Sequence, residues 1–404
     1  MSLRKAELTK EHRPSRKITS ADGHIENSAR ARCALIGGAF ALYLITGAGT
    51  SILGSTSSDI IEFLAPSTIL IGFIRAGRQA GQLAASLTFA RIQGHRSLAS
   101  TATIGAGGFA VGVLIVAFSR SDALTIIGAV LWGAGHGALD LSATVIMSHS
   151  FGQRASVAMS LLHVTYGIGG GIGPFFVVLI RSAMPWTVGY VILAGAAIVA
   201  VAPIVICRNK NLLAATDNGS GYARRIPTPR LAPSAVVIFC FNGVNAGLVD
   251  WTYHQSIAVA HSTVMQAAAA VASYWVGITI GRLVVVSVLR RVEDTDVIVT
   301  CAVLSGVVGI LAILASTPMM FVVAMGLLGL FLAPIYPVSM ARQANLAGDR
   351  RRTAIAQMMA AAALGAIFVP ILQGIFGGSL VVTAAFTVFL AASALMQWRN
   401  DQRK

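Results

Sequence analysis

The sequence predicts an all-α membrane protein, with twelve transmembrane helices arranged as two pseudo-symmetric six-helix bundles. Three observations lead there. The 404 residues are 55% hydrophobic and only 11% charged, with a mean hydropathy of +0.75, whereas a soluble domain carries about 25% charged residues. The apolar residues fall in blocks close to the ~20 residues that a helix needs to cross a bilayer. A pattern of glycine, arginine and proline also recurs about halfway along the chain. The charge deficit excludes a soluble enzyme, a disordered protein and a nucleic-acid binder, despite a formal charge of +15.

Charges, prolines and polar turns divide the chain into spans at 31–55, 65–89, 98–118, 123–148, 155–180, 186–207, 233–258, 265–289, 296–315, 318–344, 353–376 and 379–398. Each is expected to be helical, because a backbone in hydrocarbon must satisfy its own hydrogen bonds. Residues 1–30 are polar and basic and read as a cytoplasmic arm. The spans of 31–207 form a first bundle and those of 233–398 a second. Between them, 208–232 reads as a linker, with Pro227, Pro229 and the run Asn218-Gly219-Ser220-Gly221. Residues 399–404 form a short cytoplasmic tail. Asn218-Gly219-Ser220 fits a glycosylation sequon, but a cytoplasmic loop would not meet the transferase.

Orientation follows from the basic residues. Of 30 Lys and Arg, 25 fall in the two tails and the even-numbered loops or, as Arg32 and Arg342 do, at the bordering ends of their spans, and only Arg120 and Arg181 in the odd-numbered loops. Both termini are therefore expected in the cytoplasm, in a bacterial inner membrane. The single cysteines Cys33, Cys207, Cys240 and Cys301 show no metal-ligand spacing. None of the five lysines follows a glycine, so no P-loop is present. No metal, cofactor or ATP hydrolysis is expected.

The halves repeat. Gly77, Gly81, Leu83 and Arg91 recur 200 residues on as Gly277, Gly281, Leu283 and Arg291. Gly133, Gly152, Gly169 and Pro174 recur 196 residues on as Gly329, Gly348, Gly365 and Pro370. Two halves with parallel internal symmetry suit proteins that rock around a central site.

A charge at mid-bilayer costs at least about 2.5–3.5 kcal/mol on insertion scales, which makes each one a functional candidate. Asp140 and His163 are equidistant from the turn between the fourth and fifth spans, about 12 Å inside the helix ends at 1.5 Å per residue. His136 lies one turn from Asp140 on the same face. A carboxylate beside imidazole can exchange a proton near neutral pH. Proton coupling and a static bond locking the hairpin both remain open for this set. The repeat puts Tyr336 and Met359 at the equivalent places, so a proton site of this kind belongs to the first half. Arg75 and Arg78 share one face of the second span. They would either recognise an anion, since guanidinium matches carboxylate or phosphate, or balance Asp59, Glu62 or Asp140.

Three stretches resemble the major facilitator superfamily, and within it the fucose-permease-like bacterial branch. They are Gly133-Ala134-Gly135-His136-Gly137-Ala138-Leu139-Asp140 with Tyr166-Gly167-Ile168-Gly169 and Gly173-Pro174; Asp250-Trp251 with Tyr274 to Arg282; and Gly329 to Pro337. The resemblance implies a secondary transporter working by alternating access, with spans 1, 4, 7 and 10 around a central cavity and span 2 at its flank. It nominates Asn242, Asn245, Asp250, Trp251 and Tyr336 as ligand contacts, which would suit a polyhydroxylated solute. Arg282 matches the family's Gly-Arg and is expected to serve structure or gating, as are Gly81, Gly281 and Pro174. The chain departs from the family after span 2, where Ala90 to Arg96 holds no aspartate. The acid that sugar–proton symporters carry in span 1 is also missing, leaving Thr46, Thr50 and Ser51.

The sequence-based expectation is a proton-coupled transporter of a small polar solute, sugar-like or an organic anion, and a monomer. Its partners would be that solute, protons and the lipid bilayer. A proton-driven exporter of a drug or metabolite is the alternative. The run Gly167 to Pro174 partly matches the antiporter signature of drug exporters but continues as Phe175-Phe176-Val177. A non-transporting receptor on the same fold is a further alternative. An intramembrane enzyme would need a nucleophile–base set or a metal motif, and neither is found.

Overall fold

The computed structural model describes residues 18–64, 68–92, 97–151, 155–207, 232–347 and 351–402. Among the described residues there are fourteen helices and no strand. The first bundle is built from α1 (Ile18–Ser55), α2 (Ser57–Leu64), α3 (Thr68–Ile92), α4 (Leu98–Phe118), α5 (Asp122–Phe151), α6 (Ala155–Arg181) and α7 (Thr187–Ile206). The second is built from α8 (Ala232–Ala260), α9 (Val264–Val288), α10 (Asp294–Ile313), α11 (Pro318–Leu332), α12 (Ile335–Leu346), α13 (Arg351–Ile375) and α14 (Leu380–Gln402).

Eleven of the described segments are long and apolar enough to cross a membrane, with α11 and α12 forming one of them. A twelfth span results when α2 and α3 are taken together. The α3 helix falls short alone because Arg75, Arg78, Gln79 and Gln82 lower its hydropathy. The tenth span breaks at Ala333-Pro334, since proline has no N–H to give and its ring crowds the preceding turn. Loop side chains fix several starts. Thr263 and Gln266 form a reciprocal capping box on α9, with bonds of 3.3 and 2.9 Å.

Three helix boundaries differ from the span limits read from the sequence. The α1 helix begins at Ile18, inside the stretch read as an arm, and α14 continues to Gln402, where Arg342 holds Asp401 at 2.5 Å. A separate short helix, α2, precedes the second span. Residues 1–17, the turns at 93–96 and 152–154, and the linker up to residue 231 with its sequon lie outside the described residues.

The buried side chains form two large clusters, one for each bundle. Leu35, Phe109, Trp132 and Tyr190 belong to the first, and Val244, Tyr274, Phe321 and Leu332 to the second. Trp251 is the exception, because it sits on α8 yet packs into the first core.

The internal repeat is visible in helix crossings. A Cβ on Gly133 would strike the Arg78 carbonyl, and one on Gly329 would strike the Tyr274 carbonyl. Gly81 likewise meets the Val130 carbonyl and Gly277 the Gly326 carbonyl. One register of 196 thus accounts for α3 as well as α5. The spacing of 200 proposed for span 2 is one helical turn too long, an easy slip where glycines recur every fourth residue. Tyr274, rather than Ile278, is therefore the counterpart of Arg78.

Candidate functional site

A cavity of about 350 Å³ lies between the two bundles. It runs from the middle of the molecule toward the end where α1 begins and α14 finishes, called here the near end. Its walls include Ser86, Arg282 and Met359, all in the near halves of α3, α9 and α13. Asp140 on α5 and Tyr336 on α12 face it, as do His163 and Met359. These are the two pairs related by the repeat, so the cavity lies on the pseudo-symmetry axis.

The α3 helix contributes Arg78, Gln79, Gln82, Leu83 and Ser86. Its expected place at the cavity flank is corrected by this geometry: 75, 78, 79, 82 and 86 form one polar helical face, and that face turns to the centre. The α8 residues Asn242 and Asn245 line the cavity as nominated. Asn242 gives Nδ2–H to the Ala362 carbonyl at 2.9 Å, and Asn245 accepts from the Tyr274 hydroxyl at 2.5 Å.

Around Asp140 the sequence reading needs revision. The carboxylate does not bond His163. It accepts a hydrogen bond from the Tyr43 hydroxyl of α1, which also lies 3.3 Å from Thr144 Oγ1. His163 meets the edge of the Tyr43 ring, with centroids 5.8 Å apart, and its Nδ1–H donates to the Met159 carbonyl at 2.8 Å. In the neutral ring that bond leaves Nε2 as the nitrogen without a proton. His136 is buried and stacks on Tyr166 at 6.1 Å rather than joining Asp140. Tyr43 is the missed residue. A lone phenol in an apolar span carries little signal until α5 is folded beside it.

Toward the far end the cavity is shut by a layer that crosses between bundles. Arg75 is fully buried, and its guanidinium carbon lies 4.2 Å from the centre of the Trp251 ring. A desolvated cation–π contact contributes roughly 2 kcal/mol or more. No nitrogen of Arg75 hydrogen-bonds to any described residue. Arg78 Nη2 stands 3.8 Å from Asp250 Oδ1, so the two make an ion pair without a hydrogen bond. Trp275 Nε1 donates to Ser51 Oγ at 3.1 Å, joining α9 to α1. Nearer the far end, a Cβ on Gly54 would lie 2.9 Å from the Val249 carbonyl, and one on Gly72 2.8 Å from the Pro370 carbonyl.

The partner of Arg78 is thus Asp250, not Asp59 or Asp140; Asp59 is held by Arg181. Asp250 and Trp251 are sealed in this layer and do not line the cavity in this conformation. Arg75 is likewise outside it. Gly81 and Gly281 are close helix crossings, the latter with Ala333 Cβ only 2.7 Å from an added Cβ. The glycine run before Pro174 lets α6 approach two helices. A Cβ on Gly173 would lie 2.8 Å from the Ala48 carbonyl of α1, and one on Gly167 3.2 Å from Thr279 Oγ1 of α9. Packing accounts for the run without an efflux motif.

Two pseudo-symmetric bundles around one central polar cavity coincide with a family match. The model of the Major Facilitator Superfamily matches residues 39–253 and 231–399. The chain belongs to this superfamily. It is a transporter of small solutes rather than an enzyme. Among solved structures, a mutant of the nucleoside transporter NupG superposes with a TM-score of 0.75 and 13% identity, over 91% of this chain and 99% of that one. An inward-facing, unoccupied bacterial homologue of the human lysosomal transporter Spinster gives 0.67 and 13%, over 90% and 96%. Both share the fold. A mouse (Mus musculus) protein named sodium-dependent glucose transporter 1A is 24% identical over 146 residues, or 36% of this chain. That match spans about a third of the mouse protein, 34% of its length.

Proposed function

We propose that this superfamily member is a proton-coupled secondary transporter of a small polar solute. It would sit in a bacterial inner membrane with both termini in the cytoplasm, as the distribution of Arg and Lys favours. The near end is then the cytoplasmic end, and the cavity faces inward.

One observation carries the coupling. Asp140, an ionisable acid within a membrane-spanning helix, opens onto the same cavity as the polar side chains that would hold solute. Its hydrogen bond comes from Tyr43 of α1 and its neighbouring ring is His163 of α6. A proton on Asp140 changes the charge of the cavity wall directly, so solute binding and protonation are linked through one space. The far layer supplies the gate. Arg75 with Trp251, Arg78 with Asp250, and Trp275 with Ser51 all join the two bundles, and each contact must part when the far end opens. Relatives named for glucose and nucleoside transport favour a hydroxylated cargo.

The test is uptake into proteoliposomes with an imposed pH gradient. The parent chain should accumulate solute, and Asp140→Asn should lose accumulation while keeping counterflow exchange. Undiminished accumulation by the variant would refute the coupling role. Accumulation that follows a sodium gradient instead would move coupling to that ion.

A further inference from the structure

The cavity contains a guanidinium that has no counter-ion. Arg282 lines it near the cytoplasmic side and makes no hydrogen bond or ion pair with any described residue. The titratable groups around it are the phenols of Tyr274 and Tyr166 and the imidazole of His163. Of the other interior or partly buried cations, Arg78 faces Asp250, Arg181 holds Asp59 and Arg342 holds Asp401, while Arg75 lies outside the cavity with its guanidinium on the Trp251 ring. In the present conformation water can reach Arg282. Alternating access requires that this end close, and a sealed, unpaired charge is strongly unfavourable.

Counting charge identifies what could accompany it. The charged groups on the wall are Arg78, Arg282 and Asp140. Asp250 and Arg75 lie behind Arg78 in the far layer, and the charge of that layer is the same whether or not Asp140 carries a proton. Of the wall groups outside that layer, Arg282 and an ionised Asp140 sum to zero. When Asp140 carries a proton, the positive charge of Arg282 remains. A neutral solute leaves this charge bare; a monoanion cancels it. Building on the transport reading above, we propose that the cavity takes a small hydroxylated monocarboxylate, held through its carboxylate by Arg282, and that it binds together with a proton on Asp140. Gln79, Gln82, Asn242 and Asn245 supply the paired donors and acceptors for hydroxyl groups. Guanidinium matches carboxylate with two parallel hydrogen bonds. The groups facing Asp140 are Tyr43 from α1, His163 and Tyr166 from α6, and Tyr336 from α12. Arg282 and the carboxylate are expected to meet within the cavity, not at its rim.

Trp275, in the cavity wall, provides a reporter. Its fluorescence in the purified full chain is titrated with gluconate, glucuronate and galacturonate, and with the neutral glucitol, glucose and galactose. The acids should saturate at least about tenfold more tightly, equivalent to about 1.4 kcal/mol. Arg282→Gln should abolish that preference, and Arg282→Lys, which keeps the charge, should retain part of it. Asp140→Asn should bind the acids at alkaline pH as tightly as the parent chain does in weak acid. Equal affinity for both classes, no response to either, indifference to Arg282→Gln, or a signal that survives Trp275→Phe would each overturn the proposal. Uptake separates this from the transport reading. Neutral sugar accumulated without acid preference leaves a transporter and removes the anion site. Tight acid binding without any uptake does the reverse.

Discussion

Adding one methyl group at Gly72 should open the far face of this transporter. A Cβ built there lies 2.8 Å from the Pro370 carbonyl, 3.2 Å from Ile371 Cα and 3.3 Å from Gly374 Cα. All three are backbone atoms of α13, which cannot swing aside as a side chain can. Ordinary contact begins near 3.4 Å, so α3 and α13 must separate by about half an ångström. Overpacking of this kind costs roughly 1–3 kcal/mol. The cost falls only on the conformation in which the bundles touch at the far end. The balance between inward-facing and outward-facing forms should therefore shift toward outward by roughly five- to 100-fold, at ~1.4 kcal/mol per tenfold. Spin labels at Met184→Cys and Met319→Cys would read the change, in a chain whose four native cysteines have been replaced. Met184 and Met319 are 56% and 71% exposed and lie at the far side, in the turn after α6 and at the start of α11. Pulsed dipolar spectroscopy should show a longer distance gaining population in Gly72→Ala. Gly195→Ala, where an added Cβ meets nothing within 4 Å, is the neutral control. Gly133→Ala, which crowds α3 within one bundle, should lower stability without that shift. An unchanged distance distribution in Gly72→Ala would refute the assignment of this contact to the gate.

Ser51→Ala removes the acceptor of the Trp275 indole N–H. A buried unpaired donor costs about 1–3 kcal/mol, so the same distance measurement should shift in the same direction, with no shift counting against a role for this bond in closure. Tyr43→Phe removes the hydrogen bond to Asp140, and bonds to charged groups contribute about 1.5–3 kcal/mol. Proton-driven accumulation should fall with a changed pH profile while counterflow persists; an unaltered profile in proteoliposomes would exclude Tyr43 from the proton site. Arg181→Gln, which breaks a partly exposed pair with Asp59, should lower unfolding free energy by no more than about 1 kcal/mol. A larger loss in a denaturation series would show that α2 depends on that pair.

Much of the fold was legible because membrane crossing leaves a local record. Each span must be apolar over its own length, so hydropathy finds it without knowledge of its neighbours. The α3 helix was found less cleanly, since its polar face serves the cavity and dilutes the signal. The tertiary repeat was legible for the same reason: helix crossings demand glycine at fixed positions, as at Gly133 and Gly329. Its register on α3 was misjudged by one turn, because glycines four apart look alike until a crossing selects one. Asn242, Asn245, Tyr336, Asp140 and Arg78 do reach the cavity, whereas Asp250 and Trp251 are sealed behind it.

The chain's composition and periodicity by themselves marked it as a many-helix membrane protein and named the charges within its spans. Partnership was decided only in three dimensions. Tyr43 and Asp140 are 97 residues apart, and Ser51 and Trp275 are separated by 224. No local pattern encodes such pairs, because a buried polar atom selects whatever partner helix packing brings within about 3 Å. The same packing made Arg78 a counter-ion of Asp250 and left Arg282 facing an open cavity.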